Sequence, residues 1–164
     1  MRIALYQPDI PQNTGTILRL AACFGVSVDI IEPCGFALSD ARMRRAGMDY
    51  IDHVDWIRHS SWERFLEQRT PGRLVLLTTK ADQSLQKFVF EKGDTLLFGR
   101  ESTGVPADVH DHADARIAIP MRKGLRSLNL AVCASIATWE ALCQTGMTGT
   151  RHDGTADAIP PGPV

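Results

Sequence analysis

The sequence predicts an α/β fold in which helices flank a mostly parallel sheet. Short apolar runs alternate with segments of helical periodicity, and this βαβα order is typical of the class. The run at 73–78 (RLVLLT) is apolar on both faces, as in the buried strands of a parallel sheet. A chain of 164 residues, with 44% hydrophobic and 23% charged residues, has the composition of a globular domain that can bury its own core.

The N-terminal part contains two predicted strands with a helix between them. We expect strands at 2–6 and 27–31, which are short runs dominated by apolar side chains. The segment between them predicts a helix over 13–24. Asn13 can cap the N-terminus of this helix, and Gly25 is a natural stop at its end.

The same alternation continues through the middle of the chain. Ser60 and Ser61 offer an N-cap for a helix that extends to about Gln68. Three more strands are expected, at 73–78, 95–98 and 116–119. Together these elements complete the predicted α/β domain.

The C-terminal part combines a long apolar helix with a tail of different composition. Ser127 is the expected N-cap of a helix that ends near Gln144, and the segment 108–114 before it is expected to be a solvated loop. Residues 149–164 contain three Gly, three Pro and almost no large apolar side chains. We therefore expect a single domain over 1–148 followed by a disordered tail.

Charge and cysteine usage exclude several classes of protein. There are 18 Lys and Arg against 19 Asp and Glu, and this balance argues against a bulk polyanion binder but not against a local basic patch. No apolar stretch approaches the roughly 20 residues of a membrane span, and the first residues do not resemble a signal peptide. The four cysteines form no CxxC pair and have no zinc-ligand spacing, so we expect a cytoplasmic protein without a metal.

Unusual residues follow three of the predicted strands, at the edge where open parallel sheets bind ligands. The first loop leads to Asn13 and, within the helix, to Arg19. The stretch 98–106 (FGRESTGVP) places Glu101 between two glycines that allow close backbone approach. The stretch 119–130 (IPMRKGLRSLNL) is basic and leads to a helix N-terminus, whose free N–H groups can meet an anion.

Taken one at a time, these residues have ordinary structural explanations. Asn13 and Ser127 can be plain helix caps, and Arg19 can be a solvated helix arginine. The sequence has neither a GxGxxG fingerprint after its first strand nor a P-loop, which disfavours the usual nucleotide sites. His110 and His112 have the spacing of a metal pair but lack an evident third ligand.

Taken together, the three stretches resemble the motifs of the SPOUT class of RNA methyltransferases. Asn13-x-Gly15-x-x-x-Arg19 is similar to the first motif of that class, 98–106 to the second and 119–130 to the third. The segments 31–36 (IEPCGF) and 44–50 (RRAGMDY) are also similar to a small subfamily that methylates the wobble-ribose 2′-hydroxyl of tRNA. The resemblance covers almost the whole predicted domain.

The resemblance implies a deep C-terminal trefoil knot, S-adenosylmethionine as the cofactor and methyl transfer to a ribose hydroxyl as the reaction. The residues that match catalytic positions are Asn13, Arg19, Glu101, Ser127 and Asn129. The residues that match the cofactor pocket, where Met121 and Leu128 wall the adenine, are Leu77, Gly99, Ile119, Met121, Ser127 and Leu128. One departure is Arg100, which stands where many relatives have proline or another small residue.

The resemblance places Arg19 at the 2′-oxygen. A guanidinium stays protonated because its pKa lies above about 12, so Arg19 is expected to orient the nucleophile and stabilise alkoxide charge rather than act as a base. Glu101 either orients Arg19 or accepts backbone N–H bonds, and the sequence leaves both options open.

The partners implied are the anticodon stem-loop of a tRNA and a second copy of the chain. RNA-binding proteins of this kind read unstacked loop bases, and basic side chains bind the phosphates. The basic residues expected to contact RNA are Arg42, Arg44, Arg45, Arg122, Lys123 and Arg126. The apolar helix over 127–144 offers a surface for a homodimer, although burial within one monomer would explain it almost as well.

Three alternatives to a tRNA wobble-ribose methyltransferase are left open. A methyltransferase acting on the 2′-hydroxyl of ribosomal RNA is the nearest, and the two subfamily segments disfavour it. A non-catalytic RNA-binding module would not need the cofactor-pocket residues. A nucleotide-dependent oxidoreductase would be expected to carry the missing glycine fingerprint.

Overall fold

A seven-stranded parallel sheet forms the centre of the molecule in a computed structural model, which describes residues 1–38 and 51–147. The order across the sheet is β3-β2-β1-β6-β4-β7-β5, and every registered strand pair is parallel. The strands are β1 (Arg2–Tyr6), β2 (Ser27–Ile31), β3 (Trp56–His59), β4 (Leu74–Leu77), β5 (Gln83–Ser84), β6 (Thr95–Phe98) and β7 (Ala115–Ala118). The predicted α/β class with a mostly parallel sheet is confirmed.

Helices cover both faces of this sheet. They are α1 (Pro11–Phe24), α2 (Trp62–Gln68), α3 (Ala107–Asp111) and α4 (Leu130–Thr145). Alternate residues of the strands point to opposite faces, so one core packs against α1 and α4 and a second core packs against Trp62, Phe65 and Val109 of α2 and α3. The near-continuous apolar strands are therefore buried on both sides, as parallel sheets require.

The N-terminus of α1 differs from the prediction. The helix begins at Pro11, with Ile10 as its N-cap, and Asn13 lies inside the first turn. Proline is well suited to this position because its fixed φ matches the helix and its missing N–H leaves no donor unpaired. The expectation that Asn13 caps α1 is therefore wrong, and its side chain is available for tertiary contacts.

The start of α4 also differs. The N-cap is Asn129, whose Oδ1 accepts from the backbone N–H groups of Ala131 at 2.9 Å and Val132 at 3.3 Å. Ser127, the expected cap, lies two residues earlier in an extended loop. Both residue types cap helices well, so sequence preference alone did not separate them.

Three elements were missed by the sequence reasoning, which are the two edge strands β3 and β5 and the helix α3. β3 is a short edge strand that is only partly buried, whereas the central strands are almost continuously buried, and β5 has only two residues. The expectation of a solvated loop over 108–114 is wrong because α3 covers most of this segment. Val109 of α3 is fully buried and Ala113 is 6% exposed, so one face of the segment packs onto the sheet while polar residues face solvent.

Several expectations fall on residues that the structure does not describe. Arg42, Arg44 and Arg45 lie outside the described residues, as does the proposed tail over 149–164. The C-terminal knot implied by the resemblance also stays a prediction.

The strand order fixes where a ligand can bind. β6 lies between β1 and β4, so the chain builds one side of the sheet first and then crosses to the other. Open α/β sheets bind ligands in the crevice at such a switch point, beyond the carboxyl ends of the strands.

Candidate active site

A cavity of about 1300 Å³ lies at the carboxyl ends of β4, β6 and β7. The loops that follow these three strands form most of its wall, and Ile10 and Asn13 close it from the start of α1. The residues expected to hold a cofactor all line it: Leu77, Gly99, Ile119, Met121, Ser127 and Leu128. Of the five residues expected to be catalytic, the cavity is lined by Asn13, Glu101, Ser127 and Asn129.

A polar network joins the three predicted motifs. One carboxylate oxygen of Glu101 accepts from the side-chain amide of Asn13 at 3.0 Å, and the other accepts from the backbone N–H of Asp9 at 2.8 Å. Asn13 in turn accepts at Oδ1 from the side-chain amide of Asn129 at 3.0 Å. We call these contacts the Glu101–Asn13–Asn129 network. Of the two roles left open for Glu101, the structure shows the acceptor of a backbone N–H.

The same network ties the cavity to the N-terminus of α4. Asn129 uses its amide nitrogen for Asn13 and its amide oxygen for the first N–H groups of the helix. Asn13 is 8% exposed, so each of its side-chain polar atoms needs a protein partner, and each has one. A change at Asn13 therefore removes a contact from both Glu101 and Asn129, and a change at either of those two residues removes a contact from Asn13.

The loop after β6 is closed by backbone contacts that only glycine permits. The N–H of Arg100 donates to the carbonyl of Gly104 at 3.0 Å, and the N–H of Gly104 donates back at 2.9 Å. A β-carbon on Gly99 would lie 2.6 Å from the carbonyl carbon of Gly104, and Gly104 itself has φ +70°. Both glycines are thus required for the turn that presents Glu101 to Asn13.

A second set of polar contacts, missed by the sequence reasoning, lies beside this network. Asp9 accepts at Oδ1 from Arg100 Nη2 at 2.6 Å and Nε at 3.1 Å, and at Oδ2 from the backbone and hydroxyl of Ser102. These hydrogen bonds, that from Arg100 above all, lower the pKa of Asp9 to about 2. The sequence shows Asp9 directly after Pro8 and Arg100 directly before Glu101, but it does not show that these two residues, 91 positions apart, form a pair.

Arg19 lies apart from the other catalytic candidates. It is exposed on α1 and is not among the described residues that line the cavity. The first motif therefore contributes Asn13 to the cavity of its own chain and presents Arg19 on the outer surface of the helix.

The mouth of the cavity is basic. Arg122, Lys123 and Arg126 are exposed on the loop before α4 and line the opening. Lys80, on the loop after β4, lines it as well, although it was not singled out from the sequence. Surface cations at one opening suit a phosphate-bearing ligand.

Two other chemistries find little support at this site. Cys133 lines the cavity, but burial raises the pKa of its thiol to about 11, so it carries little of the thiolate that acts as a nucleophile. Within residues 1–38 and 51–147, no group of three or more His, Cys, Asp or Glu could hold a metal ion. The Nδ1 of His110, half of the tempting metal pair, accepts instead from Arg116 at 2.9 Å.

Comparison with known proteins assigns the family. Residues 1–139 match the model of the SpoU rRNA methylase family. The chain belongs to this family. A curated relative from Beijerinckia indica subsp. indica, named tRNA (cytidine(34)-2'-O)-methyltransferase, is 57% identical over 146 residues, which cover 88% of this chain and 91% of the relative.

Solved structures of other proteins share the fold. One, concerned with the 2-OH methylation of C/U34 on tRNA, has a TM-score of 0.82 and 43% identity over 87% of this chain and 94% of its own. The SpoU methyltransferase AviRb from Streptomyces viridochromogenes, in complex with AdoMet, has a TM-score of 0.77 and 23% identity over 88% of this chain and 60% of its own.

Among the described helices, none is long and apolar enough to cross a membrane.

Proposed function

We propose that this SpoU-family protein transfers a methyl group from S-adenosylmethionine to the ribose 2′-oxygen at the wobble position of a tRNA anticodon loop. The observation that carries the proposal is the Glu101–Asn13–Asn129 network at the cavity, which joins all three motifs in hydrogen bonds of 3.0 Å. The 57% identical relative named tRNA (cytidine(34)-2'-O)-methyltransferase supports the choice of substrate.

The cavity fits the proposed cofactor in size and chemistry. Its volume of about 1300 Å³ exceeds the range of about 300–1,000 Å³ typical of small-molecule sites, leaving space for part of a substrate as well. Ile119, Met121 and Leu128 supply an apolar wall for an adenine ring, and Ser127 and Asn129 supply polar groups beside it. S-adenosylmethionine supplies an activated methyl group on a sulfonium when bound.

The protein then has two tasks, which are to align the ribose hydroxyl and to stabilise the charge that develops on its oxygen. Arg19 is our choice for the second task, because a permanently charged guanidinium stabilises an alkoxide without itself accepting a proton. Asn13 holds the substrate side of the cavity, and Glu101, Ser127 and Asn129 fix the catalytic loop and the region that takes the cofactor carboxylate. Arg122, Lys123 and Arg126 at the cavity mouth bind the phosphates that flank the target nucleotide.

Homodimerisation is part of the proposal because α4 buries small side chains and exposes large apolar ones, which is unusual for a helix of a monomer. Its inward face consists largely of small residues: Ala131, Ala134, Ala137 and Ala141. Its outward face carries Val132, Ile136 and Trp139, which are 47%, 40% and 50% exposed. Large apolar side chains at helical spacing on the surface, with small ones inside, indicate a second packing partner.

A dimer would also explain the position of Arg19. This residue lies on α1, which packs against α4, and it is outside the cavity lining of its own chain. If a second copy covers the exposed stripe of α4, it brings its own α1 close to the first subunit. We therefore propose that Arg19 of one subunit serves the cavity of the other.

Subunit mixing tests this arrangement. Arg19→Ala is expected to abolish methylation while leaving cofactor affinity near normal, and Asn129→Ala is expected to lower methylation strongly. When the two variants are unfolded and refolded together at equal concentration, a shared site restores about a quarter of wild-type activity, since half the dimers carry one intact site. No recovery, although heterodimers form, would place Arg19 in the cavity of its own chain.

The oligomeric state has its own experiment. Sedimentation equilibrium at micromolar concentration is expected to give a dimer for the wild type and a monomer for Trp139→Glu. The matched control is Ile57→Glu, which changes another exposed apolar residue (42%) on the edge strand β3 and should stay dimeric. A monomeric wild type would refute the dimer.

The activity itself is tested with labelled S-adenosylmethionine and total RNA. We expect label in tRNA alone, at the 2′-oxygen of nucleotide 34. Label in ribosomal RNA would favour the alternative substrate, and no label despite RNA binding would favour a non-catalytic module. RNA affinity should also fall steeply with added salt, because the contacts are to phosphates.

The cytoplasm is the proposed site of this activity. Cys23, Cys34, Cys133 and Cys143 are all free thiols, which suits a reducing compartment.

A further inference from the structure

Asp9 and Arg100 are not among the catalytic or cofactor-binding residues assigned above, yet their pair touches the catalytic network directly. Arg100 donates two hydrogen bonds to one carboxylate oxygen of Asp9, and Ser102 donates two to the other. We call this pair the Asp9–Arg100 clamp. It joins the loop after β1 to the loop after β6, which are 91 residues apart in sequence.

We infer that the Asp9–Arg100 clamp positions Glu101 and, through it, Asn13 for methyl transfer. The inference rests on the function proposed above. The backbone N–H of Asp9 donates to the Glu101 carboxylate at 2.8 Å. Asp9 therefore binds Arg100 through its side chain and Glu101 through its backbone. The other Glu101 oxygen is then left to accept from Asn13.

The Asp9–Arg100 clamp is needed because the backbone is strained at Gln7, two residues before Asp9. Gln7 has φ +47°, an unusual conformation for a residue other than glycine. Its side-chain oxygen accepts from Arg100 at 3.3 Å, and its N–H donates to the carbonyl of Ile31 at 2.8 Å. Strained residues at functional sites persist only where the surroundings hold them, and Arg100 contacts both Gln7 and Asp9.

Close packing on the other side leaves the loop little freedom. A β-carbon on Gly35 would lie 2.9 Å from the α-carbon of Asp9, and the N–H of Gly35 donates to the carbonyl of Pro8 at 2.9 Å. The Asp9 backbone is thus fixed by Gly35 on one side and by Glu101 and the clamp on the other. Arg100 is therefore a positioning residue, since it acts on the site through Asp9 and Glu101.

A double-mutant cycle separates positioning from a direct role of Arg100 in RNA binding. Asp9→Asn, Arg100→Gln and the double variant are compared in single-turnover methylation of tRNA at saturating cofactor and RNA. Each single change is expected to lower the rate about 10- to 100-fold, the scale set by small misplacements at a reacting centre. The double variant should lose no more than either single variant, because both break the same contact.

The controls exclude a general loss of structure. Arg73→Gln breaks another paired arginine and aspartate, with Arg73 and Asp94 joined at 2.9 and 2.8 Å at the amino ends of the strands, away from the cavity. This variant should lose stability but keep the wild-type rate. The clamp variants should keep their affinity for S-adenosylmethionine within about threefold, measured by calorimetry. Arg100→Lys should recover only part of the rate, because an ammonium cannot make the two-pronged contact.

Three results would overturn the inference. The first is wild-type rates in Asp9→Asn and Arg100→Gln. The second is tighter RNA binding by Asp9→Asn and a reduced salt dependence in Arg100→Gln, which would mean that Arg100 contacts phosphate itself. The third is a wild-type protein that methylates no tRNA, which removes the proposed function and the clamp's role together, whereas the first two results leave that function standing.

Discussion

Replacing Asn129 should affect stability and activity to different extents, depending on the substituent. Asn129→Ala removes two contacts, the cap on α4 and the bond to Asn13. An N-cap contributes about 1 kcal/mol and a further hydrogen bond about 1 kcal/mol, so the free energy of unfolding should fall by about 2 kcal/mol. For a protein of this length, that corresponds to a fall in melting temperature of roughly 4–8 °C.

Asn129→Ser is the matched control. A serine hydroxyl also caps helices well, so the cap on Ala131 is retained, whereas the bond to Asn13 is lost. The expected loss of unfolding free energy is then about 1 kcal/mol. Methylation should fall strongly in both variants, because both release Asn13 from the network.

The assays are urea unfolding followed by circular dichroism and methylation with labelled cofactor. Protein concentration must be equal in all samples, because the stability of a dimer depends on it. Equal stability of Asn129→Ala and Asn129→Ser would show that the side chain does not cap α4. A wild-type methylation rate in Asn129→Ser would show that the bond to Asn13 is dispensable.

Further predictions concern the β6 loop, acid stability and metal dependence. Gly99→Ala should weaken cofactor binding at least tenfold in calorimetry, because the methyl group meets the Gly104 backbone at 2.6 Å; unchanged affinity would contradict this. Folding lowers the pKa of Asp9 from 3.8 to about 2, so its stabilisation is present above pH about 4 and is lost as the pH falls through 2. Asp9→Asn should therefore flatten the dependence of the urea midpoint on pH in this window, and a parallel curve would argue against the clamp. Methylation should survive a chelator; loss on chelation with rescue by a divalent ion would contradict the mechanism.

The fold class could be predicted because its signals are local. Apolar runs such as Leu74–Leu77, which the structure buries on both faces, are encoded by consecutive residues. The placement of three motifs at one edge follows from the same prediction, since the carboxyl ends of parallel strands meet there. The short edge strands β3 and β5 and the helix α3 were missed because few residues specify them and their burial is partial.

The roles of individual polar residues depended on tertiary structure. Asn13 is of a residue type that commonly caps helices. Only its hydrogen bonds to Glu101 and Asn129, which are 88 and 116 residues away, show that it links two other motifs instead. Likewise, nothing in the sequence around Asp9 or Arg100 indicates that they form a pair. They meet because β6 lies next to β1 in the sheet.

The sequence by itself thus determined the five inner strands, the edge of the sheet at which the motifs gather and the family that the chain resembles. The tertiary structure decided which oxygen meets which N–H, and why Arg19 lies outside the cavity of its own chain. The reason is physical. The periodicity of apolar residues shows which positions of a helix or strand face the core. The partner of a buried polar group depends on the strand order, which no short segment of the sequence contains.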